Sequence, residues 1–239
     1  MNLLEIADLH FTWPDGTDAL RGVSLALRKG ETLGLIGRNG AGKSTLLLHL
    51  NGILHGSGSV RVKGSSVEDW PADELRATVG LVFEQPQDQL FMPTVLEDVA
   101  FGPLNMGLAS EAARQRSLQV LESVGAAGLA HRAPHRLSAG QMRRAALATV
   151  LAMEPELLVL DEPVMALDPE GREAVMALLA GLPQAKMLAT HDLDLVLGLC
   201  DTVAILDAGR VQARGPTREI LADEPLLRAH GLRVPATLQ

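Results

Sequence analysis

Tyrosine is absent from the 239-residue chain, and four Phe and two Trp are its only aromatics. A nucleic-acid reader that stacks bases on aromatic side chains is therefore not expected. Positive charge is short as well: Lys and Arg total 21 against 29 Asp and Glu, a formal net charge of −8. Binding that neutralises phosphates along a nucleic acid needs the opposite balance. A single cysteine, Cys200, excludes an internal disulfide and fits a reducing compartment, or burial as a small hydrophobe. No apolar run reaches the ~18 residues of a membrane span. The opening stretch carries Glu5 and Asp8 and no basic region before an apolar segment, so it does not read as a signal peptide. Hydrophobic residues make up 47%, which excludes wholesale disorder.

Along the chain, strands and helices alternate. Asn2 to Trp13 reads as a strand ended by the turn Pro14-Asp15-Gly16, and Val23 to Leu27 as a second, stopped by Lys29-Gly30. The run Thr32 to Ile36 enters a glycine-rich stretch, and Gly42 to Asn51 reads as a helix. Val60 to Val62, Val79 to Phe83 and Leu157 to Leu160 are short strands; the last is continuously apolar, as in a parallel sheet covered on both faces. Helices over Glu170 to Leu179 and Leu193 to Leu199 alternate with strands over Ala185 to Thr190 and Thr202 to Leu206. Residues 94–153 differ: they hold helices from Ser110 to about Val124, with Leu118, Leu121 and Val124 on one face, and from Gln141 to Met153. The pattern predicts an α/β fold in one domain over 1–239, with a mainly parallel sheet, a helical subdomain inserted at about 94–153 and a short tail over 216–239.

Gly37-Arg38-Asn39-Gly40-Ala41-Gly42-Lys43-Ser44 matches G-x-x-x-x-G-K-[ST] and has the required strand before it and helix after it. Its glycines let backbone N–H groups turn inward around phosphate oxygens, and the following helix adds its positive end. Lys43 is expected to reach the β- and γ-phosphates and the Ser44 hydroxyl to ligate Mg²⁺. The ligand is a nucleoside triphosphate. Leu157 to Leu160 then runs into Asp161-Glu162-Pro163, placing two carboxylates beyond a strand's carboxyl end, where sites in open α/β sheets lie. Asp161 suits the Mg²⁺ shell, and Glu162 suits general base for the attacking water.

These motifs together resemble the nucleotide-binding subunits of ATP-binding cassette (ABC) transporters over nearly the whole chain. Leu137-Ser138-Ala139-Gly140-Gln141 is similar to the family signature, Ala166-Leu167-Asp168-Pro169 to the D-loop, and His191 to the switch histidine. The resemblance implies a P-loop ATPase core with an N-terminal antiparallel β part. It implies ATP held by residues 37–45 (ending at Thr45), with adenine stacked on Trp13, the aromatic nearest the family's position; Phe11, two residues earlier, reads as core. It implies that Ser138, Ala139, Gly140, Gln141 and Asp168 act on the nucleotide of a second ATPase subunit, so that two chains close head to tail. Glu162, His191 and Lys43 are then the catalytic residues, and Ser44, Glu84 and Asp161 the Mg²⁺ ligands.

Val82 to Phe91, followed by Pro93-Thr94-Val95, resembles the energy-coupling-factor (ECF) branch, in particular cobalt and nickel uptake ATPases. That implies a homodimer at the cytoplasmic face of the membrane, peripheral, docking coupling helices of integral membrane subunits beside this stretch and binding no nucleic acid. Phe83 reads as core there, Leu90 and Phe91 as part of the docking patch. Two departures stand out. Glu84 occupies the place of the family's Q-loop glutamine, with Gln85 one position late unless a local backbone slip brings it into place, and Ala139 replaces a glycine. A carboxylate at 84, near Asp161, Glu162 and ATP, is expected to repel them, slowing the ATPase and making it more Mg²⁺-dependent. Two other readings compete: a soluble ABC-type ATPase acting on nucleic acid or ribosomes, which lacks its usual coiled-coil, second cassette or basic surface here, and a nucleotide-binding regulator, against which Lys43, Asp161, Glu162 and His191 stand.

Overall fold

The structure, a computed structural model, describes residues 2–238. In chain order its elements are β1 (Asn2–Thr12), β2 (Asp18–Arg28), β3 (Thr32–Ile36), α1 (Lys43–Leu50), β4 (Ser57–Val62), β5 (Ser65–Ser66), α2 (Ala72–Thr78), β6 (Val79–Val82), α3 (Val95–Asn105), α4 (Ser110–Ser123), α5 (Ala139–Leu151), β7 (Leu157–Asp161), α6 (Pro169–Gly181), β8 (Ala185–Thr190), α7 (Leu193–Leu199), β9 (Thr202–Asp207), β10 (Arg210–Pro216), α8 (Thr217–Ala222) and α9 (Glu224–Ala229). They form two compact units, Met1–Ala72 with Pro183–Gln239, and Asp73–Leu182.

The first unit contains two kinds of sheet. Strands β2-β1-β4-β5 are antiparallel, with Ile6 opposite Leu25 on one side and Val60 on the other. Strand β1 buries Leu4, Ile6 and Leu9 and exposes Glu5 and His10, the alternation of a sheet with one wet face. Strand β3 instead lies between β8 and β9, parallel to both, and every residue of β3 and β8 is buried. That is why they are mostly apolar, with Thr32, Lys186 and Thr190 the buried polar exceptions. Gly34 in β3 is a packing glycine: a Cβ there would stand 2.8 Å from Val196 and 3.2 Å from the Cys200 sulfur on the helix side. Strand β10, which the sequence reading missed, adds antiparallel to β9; its Arg210-Val211-Gln212-Ala213-Arg214 is polar and half-exposed, so it lacks an apolar signal.

In the second unit β6 and β7 pair in parallel, Val79 with Leu157 through Val82 with Leu160. The carboxyl ends of both strands therefore open at one edge. Helices α3, α4 and α5 supply the helical layer. Helix α3 was also missed, because Pro103 interrupts its pattern; Thr94 caps it by accepting the Glu97 amide at 3.3 Å. On α4 Leu121 and Val124 are buried as expected, whereas Leu118 is only half-buried and the buried face continues through Ala113 and Ser117. Ser117 is tolerated inside because its hydroxyl donates to the Ala113 carbonyl at 2.7 Å. Both the antiparallel part and the parallel-rich sheet match the expected fold class.

Candidate functional site

The phosphate loop lies in the first unit, between β3 and α1. Gly40 and Gly42 take left-handed backbone, φ 77° and 104°, which turns successive amides to one side. Gly42 is the N-cap of α1 and offers no side-chain cap, so the first-turn amides of this helix are not capped by its own N-cap side chain. A Cβ on Gly42 would also meet the Ala19 carbonyl oxygen at 2.5 Å. Lys43 is buried, and its Nζ donates to the Gly37 and Arg38 carbonyls at 2.9 and 3.2 Å. The ammonium is thereby held across the mouth of the loop. Arg38, Asn39 and Gly40 are exposed, Ala41 is buried, and Ser44 and Thr45 are exposed and half-buried at the start of α1.

Trp13 and Phe11 form an edge-to-face pair at 5.0 Å, and Phe11 meets His49 of α1 in the same manner at 4.9 Å. Phe11 is thus half-buried and connects Trp13 to the helix that follows the phosphate loop, more than a plain core residue. His49 Nδ1 donates to the Thr45 carbonyl at 2.7 Å, and burial holds its pKa below the usual histidine range, so the ring is neutral. The C-terminal segment backs the same loop. A Cβ on Gly231 (φ 68°) would lie 2.8 Å from Arg38 Cδ, and His230 Nδ1 bonds Asp207 Oδ2 at 2.9 Å. His191 is exposed after β8; the next residue, Asp192, caps α7 by accepting the Leu195 amide at 2.9 Å.

The second unit carries Glu84, residues 138–141, Asp161, Glu162 and Asp168. Ser138 opens α5 with a capping box: its hydroxyl accepts the Gln141 amide at 3.3 Å, while Gln141 Oε1 accepts the Ser138 amide at 3.1 Å. Asp168 caps α6, accepting the Gly171 amide at 2.9 Å. A cavity of about 380 Å³ lies between these two helix starts, lined among others by Ser138, Gly140, Gln141, Leu167 and Asp168. The Asp168 and Glu170 carboxylates and Arg144 also line it, so both charge signs meet at the cavity. Asp161 and Glu162 are buried at the end of β7. Glu162 has a left-handed backbone (φ 45°), as does Ala166 (φ 60°), a conformation non-glycine residues avoid and active sites retain. Glu84 is half-buried beyond β6, whereas Gln85 is exposed, its Oε1 accepting from Gln87.

The model of a family described as ABC transporter matches residues 20–165. The chain belongs to the ABC transporter family. It is 46% identical over 242 aligned positions to the energy-coupling factor transporter ATP-binding protein EcfA of Methanothermobacter thermautotrophicus, covering 98% of this chain and 78% of the relative. Its fold matches cbiO1 from Clostridium perfringens, described as part of the ABC transporter complex cbiONQ, at TM-score 0.83, 37% identity and coverage of 95% and 94%. It also matches the ATP-binding cassette MJ0796, a dimer in a post-hydrolysis state bound to ADP and Pi, at TM-score 0.81, 27% identity and coverage of 90% and 99%.

This ABC ATPase has further residues at its motifs that the sequence reading passed over. Arg143 is buried beneath the signature, and its Nη1 donates to the Phe83 carbonyl at 3.0 Å. Asp98 is 3% exposed, and its Oδ1 accepts the Phe91 and Met92 amides, both at 2.9 Å. Beside it Phe91 is 63% exposed and stands edge-to-face on Phe101 at 5.1 Å. Leu90 is buried instead, and so belongs to the core and not to the exposed patch. Arg143 and Asp98 had one signal in the sequence: each falls on the apolar spacing of its helix.

Proposed function

We propose that this ABC ATPase is the motor subunit of an ECF-type importer, most specifically one for cobalt or nickel ions. It works as a homodimer at the cytoplasmic face of the membrane, bound to integral membrane subunits. The observation that carries the coupling role is the exposed apolar patch. Phe91, Phe101, Leu104 and Met106 are all exposed on the second unit, and such patches mark docking surfaces. Support for the metal branch comes from the resemblance of the Val82-to-Phe91 stretch to cobalt and nickel uptake ATPases, and support for the ECF type from the likeness to EcfA.

The residues present suit ATP and Mg²⁺. The first-turn amides of α1, which its N-cap leaves without a side-chain partner, and the left-handed glycines are a donor set for phosphate oxygens. Lys43 brings a fixed positive charge for the β- and γ-phosphates. The Ser44 hydroxyl and the carboxylates of Asp161 and Glu84 are hard oxygen donors of the kind Mg²⁺ takes; the ion would supply charge neutralisation on the phosphates. Trp13 offers its ring to adenine. Glu162 accepts a proton from the attacking water, and His191 contacts the γ-phosphate. Ser138 to Gln141 and Asp168 of the partner copy close on that phosphate. Closure then moves the coupling helices docked at the patch. The organisation we propose is one cassette over 1–239, with the helical subdomain at about 94–153 and the tail at 216–239.

The test is Phe91→Asp, co-expressed with the membrane subunits. Loss of co-purification with ATP-induced thermal stabilisation intact is the expected result. Undiminished co-purification overturns the docking surface. Accumulation of Co²⁺ or Ni²⁺ by cells carrying the complete complex tests the cargo, and uptake of neither ion overturns it.

A further inference from the structure

Helix α5 follows the signature, and its fifth residue, Arg143, turns inward instead of to solvent. The side chain is 5% exposed. A buried guanidinium needs compensating negative charge or hydrogen bonds, because desolvating a charge costs several kcal/mol. The structure gives it one hydrogen bond, Nη1 to the Phe83 carbonyl at 3.0 Å, while Nε has no hydrogen-bond partner. Burial pulls its pKa below the usual arginine range, and three carboxylates oppose that pull: Glu84, Asp161 and Glu162. All lie in the same unit, where paired β6 and β7 end at one edge, β6 running into Phe83–Glu84 and β7 into Asp161–Glu162. A second strap fixes the same segment. Gln89 accepts the Phe83 amide at 3.3 Å and donates to the Ala146 carbonyl and Thr149 hydroxyl of α5 at 3.0 and 2.7 Å. The Phe83–Gln89 loop is thus carried by α5 at both ends.

The sequence reading weighed Glu84 against carboxylates alone and predicted repulsion. The buried cation changes that balance. We propose that Arg143 is the positioning residue for Glu84: it holds the Phe83–Glu84 backbone to the signature helix and balances the Glu84 charge, so that a glutamate can serve where related importers carry glutamine. The inference rests on the assignment of Glu84 to the Mg²⁺ shell. It adds a physical link between the signature helix and the nucleotide-facing loop of the same subunit.

The experiment is a double-mutant cycle with Glu84→Gln and Arg143→Met, plus Arg143→Lys, each purified as the full chain. The first readout is thermal melting without nucleotide or Mg²⁺. Loss of the Phe83 bond is common to both backgrounds and cancels in the cycle. Arg143→Met is expected to lower the melting temperature by about 3 °C more in the wild-type background than in the Glu84→Gln background, because the loss of the cation beside Asp161 and Glu162 is common to both and only the former also strands the Glu84 carboxylate. The second readout is ATP hydrolysis. Arg143→Met is expected to lower kcat about tenfold when Glu84 is intact and less than about threefold in the Glu84→Gln background, with KM for ATP little changed. Arg143→Lys keeps the charge and should recover most of kcat; it also serves if Arg143→Met does not fold. Equal losses in both backgrounds, with Lys no better than Met, overturn the proposal and make Arg143 a packing residue. Coupling in melting with no coupling in kcat or Mg²⁺ dependence overturns the positioning role while retaining the charge balance, and locates the error in the assignment of Glu84.

Discussion

Asp98 is the most exacting test of how the docking patch is held. Its Oδ1 takes two backbone amides, Phe91 and Met92, at 2.9 Å each, from the first turn of α3. Hydrogen bonds to a charged group contribute about 1.5–3 kcal/mol each, so two give roughly 3–6 kcal/mol. Against this stands burial of the carboxylate, which raises its pKa above the usual aspartate value of 3.8 and leaves Oδ2 without a partner. Phe91 is exposed, so the released amides can reach water. The net loss for Asp98→Ala is therefore about 1–3 kcal/mol, or about 2–12 °C in a chain of this size. Circular dichroism melting measures it. Asp98→Asn keeps an acceptor oxygen for both amides and should lose less. The pH dependence has a definite sign. A carboxyl whose folded pKa is raised is favoured by the fold when protonated. Its contribution is complete below 3.8 and is lost as pH rises through the higher folded value. Wild type should thus lose ground to Asp98→Asn as pH climbs from about 3 toward neutrality. An Asp98→Ala variant melting within about 1 °C of wild type refutes the reasoning. So would a gap between wild type and Asp98→Asn that moves the other way with pH.

Lys43→Ala should abolish nucleotide stabilisation: ATP at a hundred times its Kd adds about 2.7 kcal/mol, a rise of about 5–10 °C in wild type, and an unchanged rise in the variant contradicts the role of Nζ. Glu162→Gln should bind ATP and elute as a closed dimer in size-exclusion chromatography; a monomer at saturating ATP refutes closure by two copies. Burial pushes the Cys200 thiol up to about 12, so an aromatic disulfide reagent at pH 8 should label it only after unfolding, and fast labelling of the native chain shows that Cys200 is not buried. The neutral thiol's contribution to stability is complete below the unfolded pKa of about 8.5 and fades as pH rises toward the folded value.

The phosphate loop was legible because its physics is local. Residues 37–44 carry their own turn glycines, lysine and helix start, and the flanking strand is buried throughout and apolar from Leu33 to Ile36. The acidic end of β7 was legible for the same reason. Strand β10 and helix α3 were not, since a polar edge strand and a proline-bearing helix weaken the very periodicities that reveal such elements. The charge of the site was the deeper gap. Glu84 and Asp161 are 77 residues apart in sequence, and what joins them is the parallel pairing of β6 with β7. An arginine on a helix reads as a solvated face until the structure turns it inward, and Arg143 is one of two adjacent arginines of which this one alone is buried. A carboxylate's effect depends on all the charges the fold gathers around it, so the sequence can name Glu84 as a departure without giving the sign of its consequence. The buried guanidinium supplies the missing charge, and it makes the pair, not the single residue, the unit that substitution should probe.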